Sequence, residues 1–182
     1  MSTFLAFVGG AAGWTFTEYV LHRFDGHGMK GNSTFSREHL THHADPTYFA
    51  PSLVKLRMAV TVIGTLGVVL WLLAGPVGVF AAAGFTFGWL CYEWLHRRLH
   101  THGPLNAYGR WARRHHFHHH FNDPRANHGV TSPFWDWAFG TLAEVDVVRV
   151  PRRHAPVWLV HQDELVPLHA ADYVLRGRAR RA

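Results

Sequence analysis

The sequence predicts an all-α integral membrane protein with about three transmembrane helices and a cytoplasmic cap of histidine-rich helices. Three observations lead to this fold class. Apolar runs recur at lengths that can cross a bilayer core, which takes about 20 residues in a helix. The 182-residue chain contains 17 histidines, concentrated between these runs. Its 18 Lys and Arg residues lie beyond one end of each run, as they do beside membrane helices with a fixed orientation.

The first apolar run covers 3–21 and is interrupted only by Glu18. No Lys or Arg precedes it and no A-x-A cleavage site follows, so a secretory signal is not expected. Two further runs, 58–74 and 77–95, flank Gly75 and Pro76, which break a helix. The pattern predicts one membrane helix followed by a tight membrane hairpin.

Basic residues define the predicted orientation. They lie in the stretch 23–57 and after the third run, whereas the Gly75-Pro76 turn and the extreme N-terminus carry none. By the positive-inside rule, the loop after the first helix and the C-terminal part are cytoplasmic, together with the histidine clusters. We divide the chain into a membrane-embedded domain at 1–144 and a basic tail at 145–182. The tail is interpreted either as a short amphipathic piece with a solvated end that touches anionic lipid, or as a frayed terminus.

Ten histidines in four clusters are the candidate metal ligands. Residues three and four apart share one face of a helix, and three of the clusters follow that spacing. His22 and His27 are five apart, and they would face one site only if the helix ended between them, where Gly26 offers a break. The ten candidates are His22, His27, His39, His42, His43, His96, His100, His116, His119 and His120.

The residue types point to a two-metal site. Neutral imidazole binds iron, zinc, copper and nickel, and ten imidazoles supply about five ligands for each of two ions. The carboxylate di-iron arrangement needs two Glu-x-x-His pairs, and only Glu93 with His96 fits. Glu18 and Glu93 each lie about one turn before a candidate ligand, so they either orient that imidazole through its second nitrogen or pair with nearby arginines. The single Cys91 excludes an internal disulfide and a cysteine-ligated cluster.

The four histidine clusters and the segment G-V-T-S-P-F-W-D-W-A-F-G-T at 129–141 resemble the fatty acid hydroxylase/sterol desaturase superfamily, over about 18–141. The resemblance implies that the ten histidines hold two iron ions on the cytoplasmic side, and that zinc can replace iron in isolated protein. It implies oxygen-dependent hydroxylation or desaturation of a fatty acyl, sterol or related lipid, with electrons from an external cytochrome b5- or ferredoxin-type donor. His115, His118 and His128 fall outside the shared pattern and are expected beside the ligands or on the surface.

Four other interpretations stay open at this point. Carotenoid hydroxylases are similar in size, but their third cluster usually has four residues between its histidines, where His96 and His100 have three. A membrane zinc transporter or metal-binding protein would need polar residues inside the helices, and these runs offer chiefly threonines. A zinc hydrolase would use the same imidazoles without redox chemistry. A nucleic-acid binder would suit the net charge of +6, but the basic residues lie at helix ends rather than along a stripe.

Aromatic residues suggest how a lipid would meet this site. We expect the substrate to enter from the bilayer between apolar helices. We expect Trp135 and Trp137 to anchor the protein at the membrane interface, where tryptophan is enriched. The aromatic side chains available for the entry path are Trp71, Phe80, Phe85, Phe87 and Trp89.

Overall fold

The computed structural model describes residues 2–177 and is mostly helical. Its helices are α1 (Ser2–Val20), a π-helix (Leu21–His27), α2 (Thr34–Ala44), α3 (Ser52–Thr101), α4 (Ala107–Phe121) and α5 (Phe134–Ala138). The strands are β1 (Val148–Pro151), β2 (Val160–His161), β3 (Glu164–Leu165) and β4 (Tyr173–Arg176), with 3₁₀ turns at Arg152–His154 and Pro167–His169. The prediction of an all-helical fold is therefore confirmed for most of the chain. It is wrong after residue 147, where short strands form.

Helix α3 is a hairpin of two antiparallel arms rather than one rod. Gly75 has φ 54° and ψ −134°, a conformation that glycine adopts readily, and Pro76 follows it. Across the turn, a Cβ placed on Gly78 would lie only 2.0 Å from the carbonyl oxygen of Leu70. This confirms the hairpin predicted at Gly75-Pro76. Its arms are longer than the apolar runs, because they begin at Ser52 and end at Thr101.

Helix α1 packs parallel to the second arm of α3. Ring contacts advance together along both helices, from Phe7 with Phe87 to Trp14 with Tyr92. Glycine allows the backbones to approach closely, since a Cβ on Gly10 would lie 1.9 Å from the carbonyl oxygen of Ala81. The C-terminal ends of α1 and α3 consequently meet on one side of the molecule, where the histidines lie.

Helices α2 and α4 close that side. Ser33 begins α2 by accepting a hydrogen bond from Ser36 N at 2.9 Å, and Ser36 Oγ donates to Gly26 O at 2.8 Å, which ties α2 to the π-helix. Asn106 caps α4 in the same way, accepting from Gly109 N at 2.7 Å. Eight of the fifteen residues of α4 are buried.

The C-terminal segment differs from both predictions made for the tail. Strand β1 pairs in parallel with β4, in the register Val148↔Tyr173, and β2 pairs antiparallel with β3. Buried Leu159 and Tyr173 pack on Phe117 of α4 in one apolar core. The pattern was too short to read in the sequence, because β1 places only Val148 and Val150 inward. The predicted solvated end at 178–182 lies outside the described residues, and the boundary at 144/145 stays a prediction.

Within residues 2–177, one helix is long and apolar enough to cross a membrane, Ser52–Thr101. Its most apolar window has a mean hydropathy of 2.1, and none of that window is buried inside the protein. Leu72 and Leu73 near the hairpin turn are 75% and 78% exposed. The number of crossings and the cytoplasmic location of the histidines stay predictions.

Candidate metal centre

The structure brings all ten predicted histidines together in two groups of five. Within each group, one ring nitrogen per residue lies within 4.8 Å of the others. We call them the first group, His22, His27, His39, His43 and His119, and the second group, His42, His96, His100, His116 and His120. Their role as metal ligands stays a prediction.

Helices α2 and α4 contribute to both groups. His42 and His43 are adjacent but belong to different groups, because successive helical side chains point about 100° apart. His119 and His120 divide in the same way on α4. The rings of His43 and His120 stack with centroids 4.0 Å apart, so the two groups are immediate neighbours.

The π-helix corrects the prediction for His22 and His27. The chain does not leave the helix at Gly26; it widens its turn instead, and Gly28 N donates to Arg23 O, five residues earlier, at 3.2 Å. This wider turn brings residues five apart to one side, and the ring centroids of His22 and His27 are 5.4 Å apart.

Ring nitrogens within each group are spaced as ligands of one ion would be. His27 Nε2 lies 2.9 Å from both His39 Nε2 and His119 Nε2. In the second group, His100 Nε2 lies 2.9 Å from His116 Nε2 and 3.2 Å from His42 Nε2. Two nitrogens held about 2.1 Å from a metal ion at a right angle are about 3 Å apart.

Unpartnered nitrogens also fit bound metal ions. In the described part of the chain, buried His22 Nε2 and both ring nitrogens of His120 have no hydrogen-bond partner. Buried polar atoms normally have partners, and those without one require an explanation. An ion in each group would satisfy His22 and His120, so the donor set fits two imidazole-ligated metals.

Backbone carbonyls fix the orientation of three ligand rings. His42 Nδ1 donates to Tyr48 O at 2.7 Å, and His119 Nδ1 donates to Ala126 O at 2.7 Å. His22 Nδ1 is hydrogen-bonded to His128 O. Because Nδ1 carries the proton in each bond, the Nε2 lone pair is left for a metal.

Burial keeps these imidazoles neutral. Desolvation lowers the pKa of His42 to about 4. Desolvation, together with the neighbouring imidazoles, lowers the pKa of His43 to about 2. Burial likewise holds the pKa of His116 and His119 well below the ordinary value of 6.5. Neutral imidazole is the form that binds metal, so the groups need no deprotonation at neutral pH.

Neither predicted glutamate contacts a candidate ligand through a hydrogen bond. Buried Glu18 accepts from Val130 N at 2.5 Å, Thr131 N at 3.0 Å and Thr131 Oγ1 at 2.7 Å. Glu93 pairs with Lys55 instead of with an arginine. In both cases the observed partner lies more than 35 residues away in the chain. Helical spacing predicts only contacts between near neighbours, so it could not identify these partners.

The three histidines outside the pattern have different surroundings. His118 is partly exposed and belongs to neither group. His128 is buried and supports His22 through its carbonyl oxygen. His115 is buried, with Nε2 3.4 Å from a carboxylate oxygen of Asp136.

Asp136 is the residue that sequence reasoning missed. It is fully buried and accepts from His128 N, Gly129 N and Thr141 Oγ1, each at 2.8 Å. Burial alone would raise the pKa of Asp136, but the His115 and His128 rings close to its carboxylate, together with the hydrogen bonds just described, hold it well below its usual value. The sequence did offer one signal for a buried Asp136. A single acidic residue lies between Trp135 and Trp137, where an aromatic segment at the membrane interface would not need one.

A cavity of about 140 Å³ opens beside both groups. His39 of the first group and His42 and His96 of the second lie in its wall, which is otherwise largely apolar. Of the predicted entry path, Phe85 and Trp89 line the cavity, whereas Trp71, Phe80 and Phe87 are about half exposed. Trp137 is 68% exposed, while Trp135 packs on Phe16.

Comparison with known proteins places these features in context. The model of the fatty acid hydroxylase family matches residues 7–141. A dihydroceramide fatty acyl 2-hydroxylase of Arabidopsis thaliana is 33% identical over 73% of this chain and 58% of its own length. A ceramide very long chain fatty acid hydroxylase of Saccharomyces cerevisiae is 33% identical over 73% of this chain and 36% of its own. A solved structure described as full-length Scs7p, with only the hydroxylase domain visible, aligns with a TM-score of 0.63 and 30% identity, over 79% of this chain and 56% of that chain.

Proposed function

The chain belongs to the fatty acid hydroxylase family, and from that premise we propose that it is an oxygen-dependent hydroxylase of fatty acyl chains in a membrane. The observation that carries this proposal is the convergence of two groups of neutral imidazoles beside an apolar cavity. The chain spans 58% of the length of the Arabidopsis relative, so activity and substrate are proposals.

The ten histidines would hold two iron ions, five ligands to each. The ions supply the activation of oxygen for attack on an unactivated C–H bond. One oxygen molecule, two electrons and two protons convert the C–H bond to an alcohol and release one water. The electrons come from an external donor of the cytochrome b5 or ferredoxin type.

The residues of this chain supply orientation and exclude water. Carbonyl groups hold three imidazoles with Nε2 directed inward, as described for His22, His42 and His119. Phe85 and Trp89 line an apolar space in which an acyl chain would replace water. The relatives compared above are fatty acyl hydroxylases, which favours hydroxylation over desaturation and an acyl substrate over a carotenoid.

We propose that α1 and both arms of α3 lie in the bilayer, with the histidine groups at its cytoplasmic surface. The exposed apolar side chains of α3 support this, because they would otherwise face water. A metal transporter is the weaker candidate, since the imidazoles lie at the helix ends and not along a polar path between them.

The test is product analysis joined to metal analysis. The full chain is expressed with a suitable donor in a host that lacks hydroxylated acyl lipids, and lipids are analysed by mass spectrometry. We expect two iron ions per chain, and hydroxylated acyl chains that form only when oxygen is supplied. Protein made in iron-supplemented, zinc-depleted medium and prepared anaerobically that binds no iron, or that makes no product with iron and donor present, would refute the proposal.

A further inference from the structure

A charged pair lies in the wall of the otherwise apolar cavity. Lys55 of the first arm of α3 pairs with Glu93 of the second arm, and both line the cavity together with Glu38. The side chains of Lys55 and Glu93 are only 28% and 26% exposed. Glu38 is engaged elsewhere, since it accepts a hydrogen bond from Tyr48 Oη at 2.5 Å. Charges are costly to desolvate, so such a pair in an apolar wall requires a role.

The pair marks one end of a polarity gradient. Deeper in the hairpin, the same wall is formed by Met58 and Val62 on the first arm and by Phe85 and Trp89 on the second. These side chains would suit a hydrocarbon tail. The cavity is therefore amphipathic, with its charged end toward the histidines and its apolar end toward the hairpin turn.

The charged end is also the metal end. Glu93 precedes His96 by three residues on one helix face, and both line the cavity. Lys55 lines the same cavity as His42 and His96 of the second group. A polar head bound at Lys55 would consequently place the first carbons of a chain next to the imidazoles.

We propose, resting on the acyl hydroxylase function above, that Lys55 binds the C1 oxygen of the acyl substrate and thereby determines which carbon is oxidised. An ammonium group has three N–H donors, of which Glu93 takes one within the described residues. A second donor can therefore reach a carboxylate or an amide carbonyl oxygen. With C1 held there and the tail in the apolar end, the first carbons of the chain lie beside the second group.

Binding can be measured apart from turnover. The iron-loaded full chain in detergent is titrated with a brominated fatty acid that quenches the cavity tryptophans, Trp14 and Trp89. Hexadecanoate, hexadecanamide and hexadecane then compete with the probe. The variants are Lys55→Met, Lys55→Gln and Lys55→Arg, with Arg57→Met as the matched control, because Arg57 is exposed on the same arm and does not line the cavity.

Lys55→Met is expected to weaken hexadecanoate binding about 10- to 100-fold, the loss typical of a hydrogen bond to a charged group. Hexadecane should compete equally in all variants, and Lys55→Arg should restore most of the affinity. Lys55→Gln loses the charge but keeps an N–H donor. It should therefore weaken hexadecanoate and spare hexadecanamide if Lys55 acts through its charge, and should spare both ligands if Lys55 acts only as a hydrogen-bond donor. The wild-type protein should hydroxylate one position near C1, and the products of Lys55→Met should be spread over several carbons.

Unchanged affinity for both acid and amide in Lys55→Met, with an unchanged product position, would overturn the proposal. If Lys55→Met does not fold, the folded Lys55→Gln and Lys55→Arg variants decide the same point. A wild-type protein that binds hexadecanoate through Lys55 but never hydroxylates it would refute the proposed function alone.

Discussion

The close approach of α1 to α3 gives a prediction with a magnitude. A Cβ added at Gly10 would lie 1.9 Å from Ala81 O and 2.9 Å from Phe85 N. Cβ atoms essentially never lie closer than 3.0 Å to such atoms, so the helices must separate by at least about 1.1 Å in Gly10→Ala. The atoms met are backbone and cannot rotate away. Overpacking of this kind costs about 1–3 kcal/mol.

Gly9 provides the matched control, because a Cβ there meets nothing within 4 Å. Gly9→Ala should gain up to about 1 kcal/mol from helix propensity. Gly10→Ala has the same gain in helix propensity, so the two variants should differ by the overpacking cost alone, about 1–3 kcal/mol. At about 2–4 °C per kcal/mol for a chain of this size, Gly10→Ala should melt roughly 2–12 °C below Gly9→Ala.

Thermal unfolding of both variants in the same detergent, followed by tryptophan fluorescence, measures this difference. Metal content offers a second readout. Helix α1 leads into His22 and α3 carries His96, so separating the helices would move these candidate ligands apart. Because metal–ligand distances tolerate changes of only about 0.2 Å, Gly10→Ala should bind less metal. Equal melting temperatures and equal metal content would show that α1 does not pack on α3 in this way.

Three further predictions concern the centre itself. Glu18→Ala leaves two backbone N–H groups without an acceptor and should cost about 2–4 kcal/mol in chemical unfolding, whereas Glu18→Gln should lose less than half of that; equal losses would contradict the hydrogen bonds. His119→Ala should bind about one metal ion fewer per chain by elemental analysis, while His118→Ala, outside both groups, should keep the wild-type content. In metal-free protein, His42 has its pKa lowered to about 4 from 6.5, so the unfolded state takes up a proton first as the pH falls. Stability should then drop between pH 6.5 and 4, by at most about 1.4 kcal/mol per pH unit for this group; a flat profile would refute it.

Local spacing was enough to find eight of the ten histidines, all except His22 and His27. Imidazoles at i, i+3 and i+4 must share a helix face, so their convergence follows from helix geometry once the helices are correctly identified. The hairpin was equally local, because Gly75 and Pro76 are adjacent in sequence and sufficient to break a helix. Spacing could not predict that adjacent histidines, such as His42 and His43, belong to different groups. That division depends on which other helices face α2.

The features that the sequence did not predict depend on tertiary contacts or on very short elements. Glu18 lies one turn before His22, but its carboxylate accepts hydrogen bonds from backbone N–H groups more than 110 residues later in the chain. A helical spacing pattern cannot predict such a distant partner. The π-helix is another example, since widening one turn solves the five-residue spacing without ending the helix. Strands β1 and β4 are four residues each, too short for an alternating pattern to distinguish them from a loop.

The carbonyl-held imidazoles have a consequence for metal supply. Tyr48 O and Ala126 O each fix one imidazole, one in either group, so these two rings are oriented independently of any ion. Nitrogen donors of this kind bind divalent metals in the Irving–Williams order, in which zinc and copper exceed ferrous iron. If the two groups hold metal as proposed, the ions available during folding should therefore determine which metal is bound, and protein made in zinc-rich medium should carry zinc in an unaltered fold.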